Sequence, residues 1–453
     1  MRTYTLKKRP GLPLYEALYR AIREDILTGA LRPGEKLPSK RALASNLEVG
    51  KTTVEAAYGQ LLEEGYIRAR ERSGFFVEAV EPRQPHPVPP PAPPAAPQPR
   101  PGADLTGNGT GQFPFSVWIR LQREVILDYG QKLLLPMDNR GAPETRQAIA
   151  RSLADFRGMA VDPENILLGA GTDFLYNLLL QLLGQDKIYG VEDPGYGKIR
   201  KIYAAGGVTC LPIPMDGSGI RPECLGNADV LHISPSHHFP TGLVMPLPRR
   251  KALLDWAQRR GGYIIEDDYD TEFRFRGRPL PPMQTMDPER VIYMNTFSKT
   301  LFPSIRISYM VLPAALMARF REKLGFYGCT VPSFEQYTLA YFLDRGYFEK
   351  HINRMRKFYR ARRNRVIAML ERCPAAKKFT ILEQDAGLHF LLRVDTDLDD
   401  GALTALFAQS GLHARSLGSF YTRPTRDCRG WLVINYSAVD ETALEAGLKR
   451  LEL

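Results

Sequence analysis

Apolar residues recur at helical spacing in LPLYEALYRAIREDILTGAL, where Leu14, Leu18, Ile22 and Ile26 share one face. The spacing predicts a helix that Arg32-Pro33-Gly34 breaks. Ser39 precedes KRALASNL as an N-cap precedes a short helix. After a turn at Glu48-Val49-Gly50, Thr52 and Thr53 open a third helix, TTVEAAYGQLLEEG, which Gly65 ends. YIRARERSGFFVEAV reads as two short strands around an Arg72-Ser73-Gly74 turn. Beyond residue 104 the pattern changes to short apolar strands alternating with helices: NILLG then DFLYNLLLQLL, KIYGVED, DVLHISP, KALLDWAQRRG then GYIIEDD, VIYMN and IRISYMVLP.

These two patterns predict two architectures. The first is the element order of a winged helix-turn-helix, a small α+β domain over residues 1–80. The second is an α/β domain with a parallel or mixed sheet over residues 104–453. Between them lies EPRQPHPVPPPAPPAAPQPRPGA, residues 81–103. Proline fixes φ and lacks an amide donor, so this run predicts an extended, semi-rigid spacer in preference to an SH3 ligand.

Composition narrows the class. The chain has 453 residues, 44% hydrophobic and 25% charged, ordinary for a soluble globular protein of two or three domains. No segment approaches eighteen uninterrupted apolar residues and no apolar signal core opens the chain, so neither membrane span nor secretion is expected. The five cysteines are scattered without metal-ligand spacing or a disulfide framework, which predicts no metal site and a reducing cytoplasm. The net charge of +11 invites an anionic partner, and residues 1–80 carry 14 Lys and Arg against 10 Asp and Glu.

In a helix-turn-helix, the start of the second helix of the motif faces base edges in the major groove. Here that start holds Lys51, Thr52 and Thr53; Lys51 reaches phosphate or guanine, and the threonine hydroxyls suit phosphate or base contacts. Ser39 and Arg41 open the preceding helix, where amides and a guanidinium favour a phosphate, and Arg70 and Gly74 lie in the wing. LPSKRALASNLEVGKTTVEAAYGQLLEEGYIRARERSGFFV resembles a GntR-type winged helix over nearly all of residues 10–80, departing at Arg72, where the wing more often has Gly. The resemblance implies binding to double-stranded DNA.

Four strand ends in the larger part carry chemistry. NTFSKTLFPSIRISYMV delivers Thr296, Ser298 and Lys299 from a strand into a loop, with Arg306 seven residues on. A lysine among small polar residues at a strand end suits a Schiff base with an aldehyde cofactor, and arginine with hydroxyls suits a phosphate. GYIIEDDYD ends in Asp267, Asp268 and Tyr269, where a carboxylate could pair with a protonated pyridine nitrogen. LLGAGTDFLYNLL opens a helix at Thr172 after a Gly-rich turn, an anion site. HISPSHHFPTG is a further polar strand end, read as a cofactor or ligand loop.

Together these segments resemble the fold-type I pyridoxal 5′-phosphate (PLP) enzymes over about residues 104–453. SPSHHFPTG, IIEDDYDTEFRF and NTFSKTLFPSIRISYMV resemble the version found in the MocR family, in which a GntR-type winged helix is fused to an aminotransferase-like domain. The resemblance implies a PLP-dependent transcription regulator and a homodimer. Lys299 would carry the Schiff base, Asp267 would bind the pyridine nitrogen, Tyr269 the ring 3′-oxygen, and Tyr196 would stack on the ring. Gly171, Thr172, Thr296, Ser298 and Arg306 would hold the phosphate, and His237 would lie at the ring's oxygen edge. His238 departs from the family's usual Gln, and Val433 stands where aminotransferases place an arginine for the substrate carboxylate. That loss favours a sensor of an amino acid or amine, acting through Schiff-base exchange at Lys299; the alternative is a working aminotransferase with a DNA-binding appendage. Lys198 is a candidate ligand contact. The basic helix HINRMRKFYRARRNRV carries an apolar stripe (Ile352, Met355, Tyr359, Val366), which favours a solvated or dimer-facing helix over a DNA contact.

Overall fold

The computed structural model describes residues 4, 13–71, 73–80, 102–107, 109, 111–275, 277, 280–383, 385–423 and 428–453. The proline-rich spacer up to residue 101 and the wing residue Arg72 lie outside the described residues. The chain divides into two compact units, Met1–Gln98 and Pro99–Leu453.

In the first unit, α1 (Leu14–Leu27), α2 (Lys40–Asn46) and α3 (Lys51–Glu63) precede the antiparallel pair β1 (Ile67–Arg70) and β2 (Gly74–Val77). The α1 stripe is buried as its spacing requires: Leu18, Ile22 and Ile26 pack with Leu43, Val54, Tyr58, Leu61, Ile67 and Val77 in one core. Ser39 caps α2 by accepting from the Ala42 amide at 3.2 Å. Helix α3 begins one residue earlier than the threonines suggested, at Lys51, with Gly50 at its N-cap and no side-chain cap bond.

The second unit opens with β3 (Ala103–Asp104), paired in parallel with β14 (Leu412–His413). Then come α4 (Phe115–Tyr129), α5 (Pro143–Arg157), β4 (Ile166–Gly169), α6 (Thr172–Leu183), β5 (Ile188–Asp193), α7 (Gly197–Ala205), β6 (Thr209–Asp216) and β7 (Gly219–Ile220). Next are β8 (Val230–Ile233), α8 (Leu247–Arg260), β9 (Tyr263–Asp267), β10 (Val291–Thr296), the short α9 (Phe297–Thr300), β11 (Ser308–Val311), α10 (Ala314–Lys323), α11 (Ser333–Asp344) and α12 (Tyr347–Arg372). The remainder comprises β12 (Phe379–Leu382), β13 (His389–Val394), α13 (Asp400–Gln409), β14, β15 (Arg415–Ser416), β16 (Trp431–Asn435) and α14 (Glu441–Arg450).

Among the described residues, the main sheet has eight strands in the order β4-β11-β10-β9-β8-β5-β6-β7. Strands β10, β9, β8, β5 and β6 are mutually parallel, and β11 runs against both its neighbours, so the sheet is mixed as expected. Its central strands are buried on both faces, which is why they read as apolar runs. A smaller antiparallel sheet, β12-β13-β16-β15, lies downstream. No described helix is long and apolar enough to cross a membrane.

Helix α12 corrects a sequence expectation. Ile352, Met355, Tyr359 and Val366 are all buried in this chain's own core rather than facing solvent or a partner. Several of its arginines bind main-chain carbonyls: Arg356 that of Glu272, Arg360 that of Phe275, and Arg362 those of Ser437 and Val439. Each guanidinium satisfies an acceptor at an irregular segment, so the basic character of the helix is largely spent internally.

Candidate functional site

The C-terminal ends of β4, β5, β8, β9 and β10 deliver the residues singled out above. At the end of β9, Asp267 is buried and its two oxygens differ. The Tyr176 hydroxyl donates to Oδ2 at 2.5 Å, and His232 Nε2 stands 3.4 Å from the same oxygen. The Tyr203 hydroxyl lies 2.6 Å from His232 Nδ1; if it donates there, Nε2–H is left to face Asp267. Oδ1 is buried with no hydrogen-bond partner among the described residues. A buried carboxylate oxygen without a partner is costly, so it marks a place for a donor from a ligand.

The neighbouring acids divide the remaining work. Asp268 pairs with Arg157 at 2.8 Å and accepts from Tyr293 at 2.6 Å and from Thr271, fixing the loop beyond β9. Glu266 accepts from the Met283 and Gln284 amides. Asp270 holds His237 Nδ1 at 2.9 Å, with the Tyr269 hydroxyl 3.4 Å from the same nitrogen. His237 Nε2 is buried without a partner among the described residues. Its ring packs so closely on Gly387 that a Cβ there would come within 1.9 Å of Cε1.

Lys299 lies in α9, at the end of β10, and is largely removed from solvent. Burial lowers the pKa of its amine, and the carboxylate of Asp270 works against that. Burial also pushes Glu192 up to about 8 and His238 down to about 3, so it favours the neutral form of both partners across their 3.5 Å contact.

A second cluster forms at the start of α6. Gly171 adopts φ 92°, and a Cβ there would meet the Arg306 guanidinium at 1.9 Å, so only glycine lets that side chain in. Ser298 Oγ is buried without a partner among the described residues. The Thr296 hydroxyl is occupied: it caps α9 by accepting from the Ser298 amide at 3.1 Å and receives Ser308 Oγ at 2.8 Å. Tyr196, at the N-cap of α7, is 48% exposed and meets Phe239 edge-on, and Phe239 in turn meets His389, which lies 4.9 Å from the His237 ring centroid.

These features fit a phosphorylated pyridine aldehyde: a bare acceptor at Asp267, a desolvated amine at Lys299, and a cradle of Gly171, Ser298 and Arg306 beside a helix start. Sequence reasoning did not find Tyr176, His232, Tyr203 or Asp270. The only available signal was that Tyr176, His232 and Asp270 stand inside the quoted segments and Tyr203 seven residues after Tyr196. Val433 is buried in β16, opposite Leu391 and Arg415, among apolar neighbours.

In the N-terminal unit, Ser39, Arg41, Lys51 and Thr52 are exposed at the starts of α2 and α3. Lys51 lies 3.3 Å from Glu55, one turn on. In the wing, Arg70 lies over the Phe76 ring, and Gly74 has φ 109° where β2 begins.

Residues 14–77 match the bacterial regulatory proteins of the gntR family, and residues 104–451 match aminotransferase class I and II. Fold and site thus define a DNA-binding transcription regulator with a PLP-binding domain of the aminotransferase class. The chain is 37% identical over 457 residues to the HTH-type transcriptional regulator YdeL of Bacillus subtilis, across 99% of this chain and 98% of the relative. It is 32% identical over 470 residues to the probable rhizopine catabolism regulatory protein MocR of Rhizobium meliloti, across 98% and 94%. The chain belongs to the MocR family. An archaeal alanine:glyoxylate aminotransferase shares the fold of the second unit, with a TM-score of 0.68 and 23% identity over 77% of this chain and 89% of that one.

Proposed function

We propose that this regulator senses an amino acid or other small amine at a cofactor held by Lys299. The observation that carries the reading is Asp267, with one oxygen supplied by Tyr176 and His232 and the other bare among the described residues. In this arrangement Asp267 Oδ1 would accept from the pyridine nitrogen, Tyr269 and His237 would meet the ring-oxygen edge, and Tyr196 would stack on the ring. Gly171, Thr172, Thr296, Ser298 and Arg306 would surround the phosphate, with Thr296 acting through the cap of α9. When bound, the cofactor supplies one electrophilic carbon that either Lys299 or an effector amine can hold.

Desolvation of Lys299 favours its neutral, nucleophilic amine. Asp270 fixes His237 so that Nε2 faces away from the pair, available to a ligand. Ser39, Arg41, Lys51, Thr52, Thr53, Arg70 and Gly74 would form the DNA-reading surface.

Residues 1–80 would read DNA, 81–103 would form the spacer and 104–453 would take the effector. Large apolar side chains are exposed on α4 (Phe115, Ile119, Ile126, Leu127) and just after it (Leu134, Leu135), with Phe326 just after α10. Such a surface suits burial against a second copy, and a dimer would present two reading heads to paired half-sites. Among the described residues no disulfide joins the scattered cysteines, in keeping with a cytoplasmic setting.

Borohydride reduction of PLP-replete protein, followed by peptide mass spectrometry, should find the cofactor on Lys299. An unmodified Lys299 would sink the reading. Steady conversion of amino and keto acids at about 1 per second or faster would favour an enzyme over a sensor.

A further inference from the structure

We propose that Asp173 is a resident competitor for the phosphate cradle, weakening this chain's hold on any phosphorylated ligand there. The inference rests on the reading that Gly171, Ser298 and Arg306 surround the phosphate.

Asp173 is the acidic residue in the first turn of α6, the helix whose start forms the cradle. The positive end of that helix attracts an anion, and the Asp173 carboxylate is already such an anion. Its Oδ2 takes both nearby cations: Lys198 Nζ at 2.6 Å and Arg306 Nη2 at 3.6 Å. The same Arg306 nitrogen also lies 3.4 Å from the Ala170 carbonyl oxygen. The guanidinium is therefore held by this chain's own acceptors. An arriving phosphate must share Arg306 with Asp173 and lie beside a like charge.

Lys198, at the start of α7, moderates the competition, since it takes part of the charge on the same Asp173 oxygen. All three side chains are partly exposed, at 48%, 37% and 48% for Arg306, Asp173 and Lys198, so solvent screens the effect and its size is modest. The cofactor is thereby held less firmly than the shape of the cradle alone would allow, and its retention is tied to the acidic residue next to Thr172 in the turn that opens α6.

The test uses full-length cofactor-free protein titrated with PLP and, separately, with pyridoxal, which has the aldehyde and ring but no phosphate. Binding is read from absorbance. Asp173→Asn keeps the side-chain shape and removes the charge. It should tighten PLP binding about five-fold and leave pyridoxal binding unchanged. Unchanged or weaker PLP binding would overturn the proposal. So would equal tightening of pyridoxal, which would place the effect outside the phosphate subsite. Borohydride labelling runs in parallel on both proteins. Labelling at Lys299 with no change in PLP affinity defeats the role of Asp173 alone, whereas absence of label in both defeats the site reading beneath it.

Discussion

Asp267 receives its donors on one oxygen only, so removing its charge should act on the cofactor more than on the fold. Asp267→Asn keeps the shape but replaces a charge-assisted acceptor with a neutral amide. PLP binding should weaken by about ten- to a hundred-fold, measured by absorbance titration, with the far-ultraviolet circular dichroism unchanged. At this scale the sequence was informative about residue types at strand ends: Lys299, Asp267 and Tyr269 stand in short, distinctive segments. It was silent about their supporters. Tyr176 lies 91 residues from Asp267 and His232 lies 35 away, and periodicity records that such positions are buried without recording which polar groups meet there. Thr296 shows the converse, since its hydroxyl is drawn into local hydrogen bonds that a list of residue types does not reveal.

Elements bring two further predictions. Lys51 opens α3, exposed and next to Glu55. If it contacts phosphate, Lys51→Ala should weaken binding to all sequences alike and lower the salt-dependence slope by about 1; a guanine contact would instead relax specificity at one position. Fluorescence anisotropy across a salt series separates the two. Glu272 follows β9 in the chain and is half-buried, with Asn295 3.2 Å from Oε1 and a buried Oε2 without a partner among the described residues. Burial, then the neighbouring Asp268 charge, pushes its pKa up to about 7 from the ordinary 4.5. The folded state therefore holds a proton that the unfolded state releases above about 4.5. The stability this gives is full below that pH and is lost as pH rises through about 7. Glu272→Gln cannot ionise, so its melting temperature relative to the unsubstituted protein should rise between pH 5 and pH 8. A difference that is flat with pH would count against the buried, protonated carboxyl.

For the whole molecule, the exposed apolar side chains of α4 are the main liability of a lone chain. Leu127 is 74% exposed. If this face meets a second copy, Leu127→Glu should shift the protein from dimer to monomer in sedimentation velocity, because an unpaired carboxylate cannot be buried cheaply in an apolar interface. If the face is free, the sedimentation coefficient should stay the same. Element order announced both units. The stripe of α12 misled because helical spacing shows that one face is buried but not what buries it, and here the cover is this chain's own core.

By itself the sequence determined the sort of elements this chain forms and the chemical types gathered at its strand ends. Those properties follow from local periodicity, capping and backbone constraint, which act over a few residues. Tertiary structure alone decided which oxygen of Asp267 is supplied and which is left bare, that Arg306 enters beside Gly171, and that the α12 arginines close backbone carbonyls. Each of these depends on groups far apart in the chain meeting within hydrogen-bond or van der Waals distance, and no local pattern encodes those distances.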